Sequence, residues 1–185
     1  MKRSHLLAPL WAFCLILLPS CGGIPKGIKP VTNFELRRYL GQWYEVARLD
    51  HSFERGLSNV TASYNLRQDG SIEVINRGYD MEKQRWKEAR GKAFFVAEPT
   101  VGRLKVSFFG PFYGGYNIIA LDRQSYSYAL VCGPNRNYLW VLARSQNLDP
   151  TVLHSLLEQA RRLGFATDEL IYPAHDRIPT REAEE

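Results

Sequence analysis

At 185 residues, with 45% hydrophobic and 23% charged side chains, the chain can bury a sizeable core and is too apolar to be a disordered polymer. Aromatics at 12% suit strands better than helices. The formal charge of +5 includes Lys2 and Arg3, which lie in a segment that reads as removed, and no block of Lys or Arg follows, so a nucleic-acid surface is excluded.

Met1-Lys2-Arg3 is a basic start, and Leu6 to Leu18 is an uncharged, largely apolar run. Its length suits the core of a signal peptide and falls short of a bilayer span. The run ends in Leu18-Pro19-Ser20-Cys21, which resembles the bacterial lipoprotein processing box. That resemblance implies a signal peptide over 1–20, and a diacylglyceryl group and an N-terminal acyl chain on Cys21. Gly22 stands where an Asp would retain such a protein in the inner membrane, so the implied destination is the outer membrane, on its periplasmic face. Residues 21–31 are rich in Gly and Pro and read as a lipid-anchored flexible tether. Cys14 leaves with the signal and Cys21 is acylated, which leaves Cys132 without a partner for a disulfide. In the apolar run Ala129-Leu130-Val131-Cys132 it reads as a small buried hydrophobe.

The folded domain is expected over 32–175, with a charged tail over 176–185. After a mixed entry at 32–38, Tyr39 to Arg48 reads as the first strand, with Gly41 allowing a bend and Trp43 ready for burial. Leu49 to Ser58 reads as a loop covering a barrel mouth, and its Asp50-His51 pair as solvated, since two adjacent residues make no site without partners. Val60 to Leu66 alternates apolar and polar, Asp69-Gly70 is a hairpin signal, and Ile72 to Tyr79 returns as the partner. Strands follow at 86–97, with Gly91 as a break, and at 103–109, where Leu104, Val106 and Phe108 alternate with Lys105 and Ser107. The segments at 117–122, 126–132 and 138–144 are apolar at both parities and should be covered on both faces. One cover is the barrel interior and the other a helix. That helix is signalled by Asp149 as N-cap, Pro150 in the first position, Leu153, Leu156, Leu157 and Ala160 on one stripe, and Gly164 as the stop. Phe165 to Tyr172 reads as a short last strand.

Strands in adjacent hairpins, without alternating helices, define an all-β fold: an up-and-down antiparallel barrel of about eight strands with one C-terminal α-helix packed outside. Such a barrel has room for one small ligand. Gly41-Gln42-Trp43-Tyr44-Glu45, Phe53-Glu54-Arg55-Gly56, the aromatic–glycine stretch from Lys105 to Tyr116, Ala120-Leu121-Asp122 and Leu139 to Arg144 together resemble the bacterial lipocalins, outer-membrane lipoproteins akin to apolipoprotein D. The resemblance implies an eight-stranded lipocalin barrel whose floor is closed by Gly41, Trp43 and Arg144, the arginine lying across the indole. It also implies a bound fatty acid or lysophospholipid, stored or carried for envelope maintenance. Alternating strand positions make Glu45, Phe94, Phe95, Phe108, Tyr116, Ile118, Tyr128, Leu130 and Trp140 the candidates for lining that site, with inward parity unresolved. A purely structural envelope lipoprotein and a thiol-dependent lipocalin enzyme are the alternatives. No nucleophile–base pair, metal set or cofactor motif stands out, and a homodimer is left open.

Overall fold

The computed structural model describes residues 23–96 and 98–177. Eight strands, β1 (Gly41–Arg48), β2 (Leu57–Leu66), β3 (Ile72–Asp80), β4 (Arg85–Phe95), β5 (Arg103–Phe109), β6 (Phe112–Leu121), β7 (Tyr128–Cys132) and β8 (Leu139–Ala143), pair in sequence order. β8 pairs back onto β1, so the barrel is closed and antiparallel throughout. Closure removes every free edge. A short helix, α1 (Leu36–Tyr39), precedes β1, and α2 (Pro150–Arg162) packs on the outside.

Local chemistry places the turns. Asp149 Oδ1 accepts from the Thr151 and Val152 amides at 2.8 and 3.2 Å, so the first donors of α2 are satisfied. Gly164 ends the helix with φ +83°, which a side-chain-bearing residue adopts only under strain. Asp69 accepts from the amide and hydroxyl of Ser71, and Gly70 takes the left-handed position of that hairpin. Asp122 holds the β6–β7 connection by accepting from the Ser127 amide and hydroxyl.

The wall separates two apolar layers. Inside are Trp43, Tyr64, Ile72, Val74, Leu104, Ile118, Val131 and Leu142. Outside, under α2, are Ala47, Ile119, Leu130, Cys132, Leu139 and Val141 with Leu156 and Ala160. The strands apolar on both faces are thus the ones the helix covers. Elsewhere the outer face is wet: Glu88, Arg90 and Lys92 of β4 are exposed. An apolar interior and a charged exterior are the reverse of a lipid-embedded barrel. Among the described residues no helix is long and apolar enough to cross a membrane.

Three expectations change. Residues 23–31 are no loose tether where they are described: Ile28 is buried under the outer layer, and Val31 exchanges backbone hydrogen bonds with Gly102 and Ile118. The proposed last strand is instead a 3₁₀ turn (Thr167–Glu169) followed by a single bridge, Ile171 to Arg48. Gly91 does not break β4; a Cβ there would meet the Ser107 carbonyl oxygen at 2.6 Å and the Phe108 ring at 2.9 Å, so the glycine makes room for the close approach of β5 and that ring. Cys21, the signal segment and residues 178–185 lie outside the described residues.

Candidate functional site

The connections β2–β3, β4–β5 and β6–β7 lie at one end of the barrel, and that end is sealed. The Arg144 guanidinium lies 3.9 Å from the centre of the Trp43 ring. It donates to the carbonyls of Gln42, Arg38 and Leu40, each at 2.8 Å. Trp43 is wholly buried and donates Nε1–H to the Tyr39 carbonyl at 2.8 Å. Gly41 takes φ +90° beside that guanidinium. A planar cation over an indole, with its donors spent on carbonyls, ties α1 and the start of β1 to the end of β8.

Above this floor is a cavity of about 820 Å³, counted out to solvent at its open end. Its lining is almost entirely apolar: Phe34, Val60, Ile72, Val74, Leu104, Val106, Phe108 and Leu142 contribute the walls. Besides Thr61 and Asn76, two polar clusters interrupt it. In its deeper half the Tyr39 and Tyr64 hydroxyls both bond the Tyr116 hydroxyl at 2.7 Å. Burial pushes all three phenols above their ordinary range, so each keeps its proton.

Toward the mouth sits a buried charged cluster. Arg48 Nη1 donates to Glu45 Oε1 at 2.6 Å, and its Nη2 to the Glu54 carbonyl at 2.9 Å. Trp140 Nε1 donates to Glu54 Oε2 at 3.1 Å. His51 Nε2 lies 3.1 Å from that same oxygen without hydrogen-bond alignment, and its ring stacks on Phe53 at 4.1 Å. Burial, reinforced by the neighbouring Glu54, raises Glu45 to about 8, and burial also raises Glu54. With Glu45 raised above neutrality, the cluster takes up a proton at neutral pH, which lowers the charge buried opposite the Arg48 guanidinium. Burial lowers His51 to about 4, leaving the ring neutral. Arg48 Nε and His51 Nδ1 are buried without a hydrogen-bond partner among the described residues. Buried polar atoms of this kind call for water or a ligand group.

Of the nine candidate lining residues, Glu45, Phe108, Tyr116 and Trp140 border the cavity. Phe95 and Ile118 point inward but lie at its closed end, Phe95 against Phe34 and Ile118 wholly buried. Three are corrected. Phe94 faces out, 37% exposed and edge-on to Tyr113. Tyr128 and Leu130 face the outer layer under α2. Cys132 does too, and burial pushes its thiol up to about 12, which removes it from both the cavity and nucleophilic chemistry at neutral pH.

Sequence reasoning missed Arg48, Glu54, Tyr39 and Tyr64, and it read His51 as solvated where the structure buries it. Arg48 was hidden by backbone geometry. Strict alternation from Glu45 sends Ala47 inward and Arg48 outward, but the β1–β8 register shifts between Glu45 and Ala47. That bulge places Ala47 in the outer layer and brings Arg48 beside Glu45 inside. The signal that could have found the cluster is Glu54, a carboxylate in the same short loop as Phe53.

A closed antiparallel cup with an apolar interior, an arginine-on-tryptophan floor and polar groups near its mouth is a small-ligand-binding barrel. Residues 34–175 match the lipocalin-like domain model. The outer membrane lipoprotein Blc of Vibrio cholerae is 58% identical over 159 residues, covering 86% of this chain and 93% of that one. Its Escherichia coli K12 counterpart is 50% identical over 172 residues, covering 93% and 97%. Among solved structures, insecticyanin of the tobacco hornworm superposes with a TM-score of 0.67 at 20% identity, covering 87% of this chain and 89% of that one. The chain belongs to the lipocalin family. It is a lipid-anchored protein of the outer membrane.

Proposed function

We propose that the protein binds a fatty acid or lysophospholipid, with the acyl chain in the barrel and the polar head near the mouth, and so stores or carries lipid for envelope maintenance. Cys21 is the acylated anchor in this reading, the folded domain faces the periplasm, and the protein acts by binding and not by catalysis. The observation that carries it is the polarity gradient along one cavity: apolar walls below, and a buried Glu45–Arg48–Glu54 cluster near the opening whose Arg48 Nε has no hydrogen-bond partner among the described residues. An amphiphile matches both ends, whereas a purely apolar ligand would leave the polar atoms as they are.

Burying about 14 methylenes at ~0.8 kcal/mol each is worth roughly 11 kcal/mol gross. Lost rigid-body freedom and chain ordering return at least ~4 kcal/mol, which sets affinity at about micromolar. The test is a titration series of saturated fatty acids and lysophospholipids of increasing chain length. Affinity should climb with length and level off when the cavity is full. A flat series, or no binding at tens of micromolar, would overturn the lipid reading in favour of a structural lipoprotein.

A further inference from the structure

In an up-and-down barrel the β1–β2, β3–β4, β5–β6 and β7–β8 connections share one rim, here the mouth. Five large apolar side chains among the described residues are more than half exposed, and four of them stand on that rim. Phe53 (58%) is in the first connection, Met81 (52%) in the second, and Phe109 (81%) and Phe112 (75%) flank the third. Scattered surface hydrophobics need no explanation, but four on three successive connections around one opening form an exposed apolar rim. The wall beneath it is charged: Lys87 of β4 pairs with Asp80 of β3 at 2.6 Å.

The start of the described chain says what covers this rim. Gly23 lies beside Pro134, in the fourth rim connection: a Cβ placed on the glycine would stand 3.6 Å from the Pro134 carbonyl oxygen. Its carbonyl accepts from Asn117 Nδ2 at 3.2 Å and lies so close to Gly115 that a Cβ there would come within 2.2 Å of it. From this point residues 24–31 run down the outside of the barrel to Val31, which is bonded to Gly102 near the closed end. Cys21 is two residues before Gly23, a contour of no more than about 7 Å. An acyl anchor on Cys21 therefore leaves the protein beside the mouth. A rim-to-rim pair of copies would trap both anchors between two proteins, away from the bilayer they require.

We propose that the Phe53–Met81–Phe109–Phe112 rim docks into the headgroup region of the phospholipid leaflet, so that the barrel mouth opens onto the membrane and lipid enters without crossing bulk water. Side chains of this kind settle at the headgroup–acyl boundary, and a short lipid tether supplies the second attachment that stable binding needs. The inference rests on the lipid-binding reading of the cavity and on acylation of Cys21.

The test uses the full lipidated protein in vesicles of phosphatidylethanolamine and phosphatidylglycerol doped with brominated-chain phosphatidylcholine. Phe109→Trp and Phe112→Trp place a reporter on the rim, and Leu66→Trp places one at the closed end, where Leu66 is 43% exposed. Emission added by the rim reporters should shift to the blue and be quenched by the brominated chains, and that from Leu66→Trp should do neither. Quenching at Leu66→Trp alone, quenching at neither end, or a concentration-dependent blue shift without quenching (the signature of a second copy on the rim) would each overturn the orientation. A second arm measures Phe109→Asp/Phe112→Asp. Uptake of a fluorescent fatty acid from vesicles should slow by roughly tenfold or more, while affinity for the same probe delivered in solution stays at the parent value. A loss of solution affinity in the double variant, or unchanged uptake, would overturn the docking role. Failure of the parent itself to bind the probe would instead overturn the lipid-binding reading, with the quenching arm still reporting orientation.

Discussion

The Arg48 guanidinium donates to the Glu45 carboxyl at 2.6 Å, with side chains only 1% and 3% exposed, inside a largely apolar cavity. The arrangement makes folding depend on pH in a window that can be named. Glu45, raised from 4.5 to about 8, holds its proton more tightly folded than unfolded. Its contribution is complete below pH 4.5 and is lost as pH climbs through 8. Glu54 is raised and adds a slope of the same sign. His51, lowered from 6.5 to about 4, works the other way, so its contribution is present above 6.5 and is lost as pH falls through 4. The two effects oppose each other between 4.5 and 6.5, and only the carboxyl slope remains above. The melting temperature of the parent should therefore fall from pH 6.5 to 8, and Glu45→Gln should flatten that fall. Scanning calorimetry of both across the window checks it.

The floor is proposed to be structural. Trp43→Ala removes a wholly buried indole and should cost about 3–5 kcal/mol. Arg144→Met keeps the apolar stem but leaves the Gln42, Arg38 and Leu40 carbonyls without their donor, and should cost at least ~1–3 kcal/mol. Urea melts give both values. An intact melt with abolished ligand binding would assign the pair to the ligand site instead.

Inside and outside of the wall should separate cleanly in function. Trp140 borders the cavity and bonds Glu54, so its emission should change on ligand binding, and Trp140→Phe should remove that change and weaken affinity. Leu130, on the far face under α2, should behave oppositely. Leu130→Ala should lower stability by about 2–5 kcal/mol and leave affinity for the folded protein unaltered. Fluorescence titration below the variant's melting temperature distinguishes the two.

Cys21→Ser should remove the protein from the outer-membrane fraction, since no described segment supplies a membrane-spanning helix. Cell fractionation with immunodetection reads the result. Retention of the variant in the membrane fraction would remove Cys21 as the anchor.

Much of the fold was legible because its signals are local. The Asp149–Pro150–Gly164 punctuation of α2 and the Asp69-Gly70 hairpin are set by backbone chemistry within a few residues. The double-sided burial of the last three strands was legible for the same reason: a strand with no polar face has two covers. Which side of them faces in was not. Tyr128-Ala129-Leu130-Val131 carries apolar groups at every position, so nothing in the pattern distinguishes the helix-facing set from the cavity-facing one. On β1 the pattern is clear but the bulge after Glu45 shifts its phase, and only the pairing with β8 reveals it. Residues 23–31 misled for another reason. Gly and Pro describe the chain's own stiffness, and the docking of Ile28 and Val31 depends on surface that the barrel provides only once folded.

The three phenols in the deeper half of the cavity have an arithmetic consequence. Tyr39, Tyr116 and Tyr64 bring three hydroxyl protons to a chain with only two links. Whichever way the links run, one proton is left over, and it must sit at an end of the chain or on Tyr116 itself. The apolar cup therefore holds one mobile donor, able to change owner by rotating hydroxyls with no heavy atom moving. A terminal methyl pressed against it would leave it unanswered, at a cost of about 1–3 kcal/mol. A tail ending one or two carbons short, with a water between, would not. The depth of the cup is then measured by a hydrogen atom, and affinity levels off one or two carbons before the longest acyl chain that geometry admits.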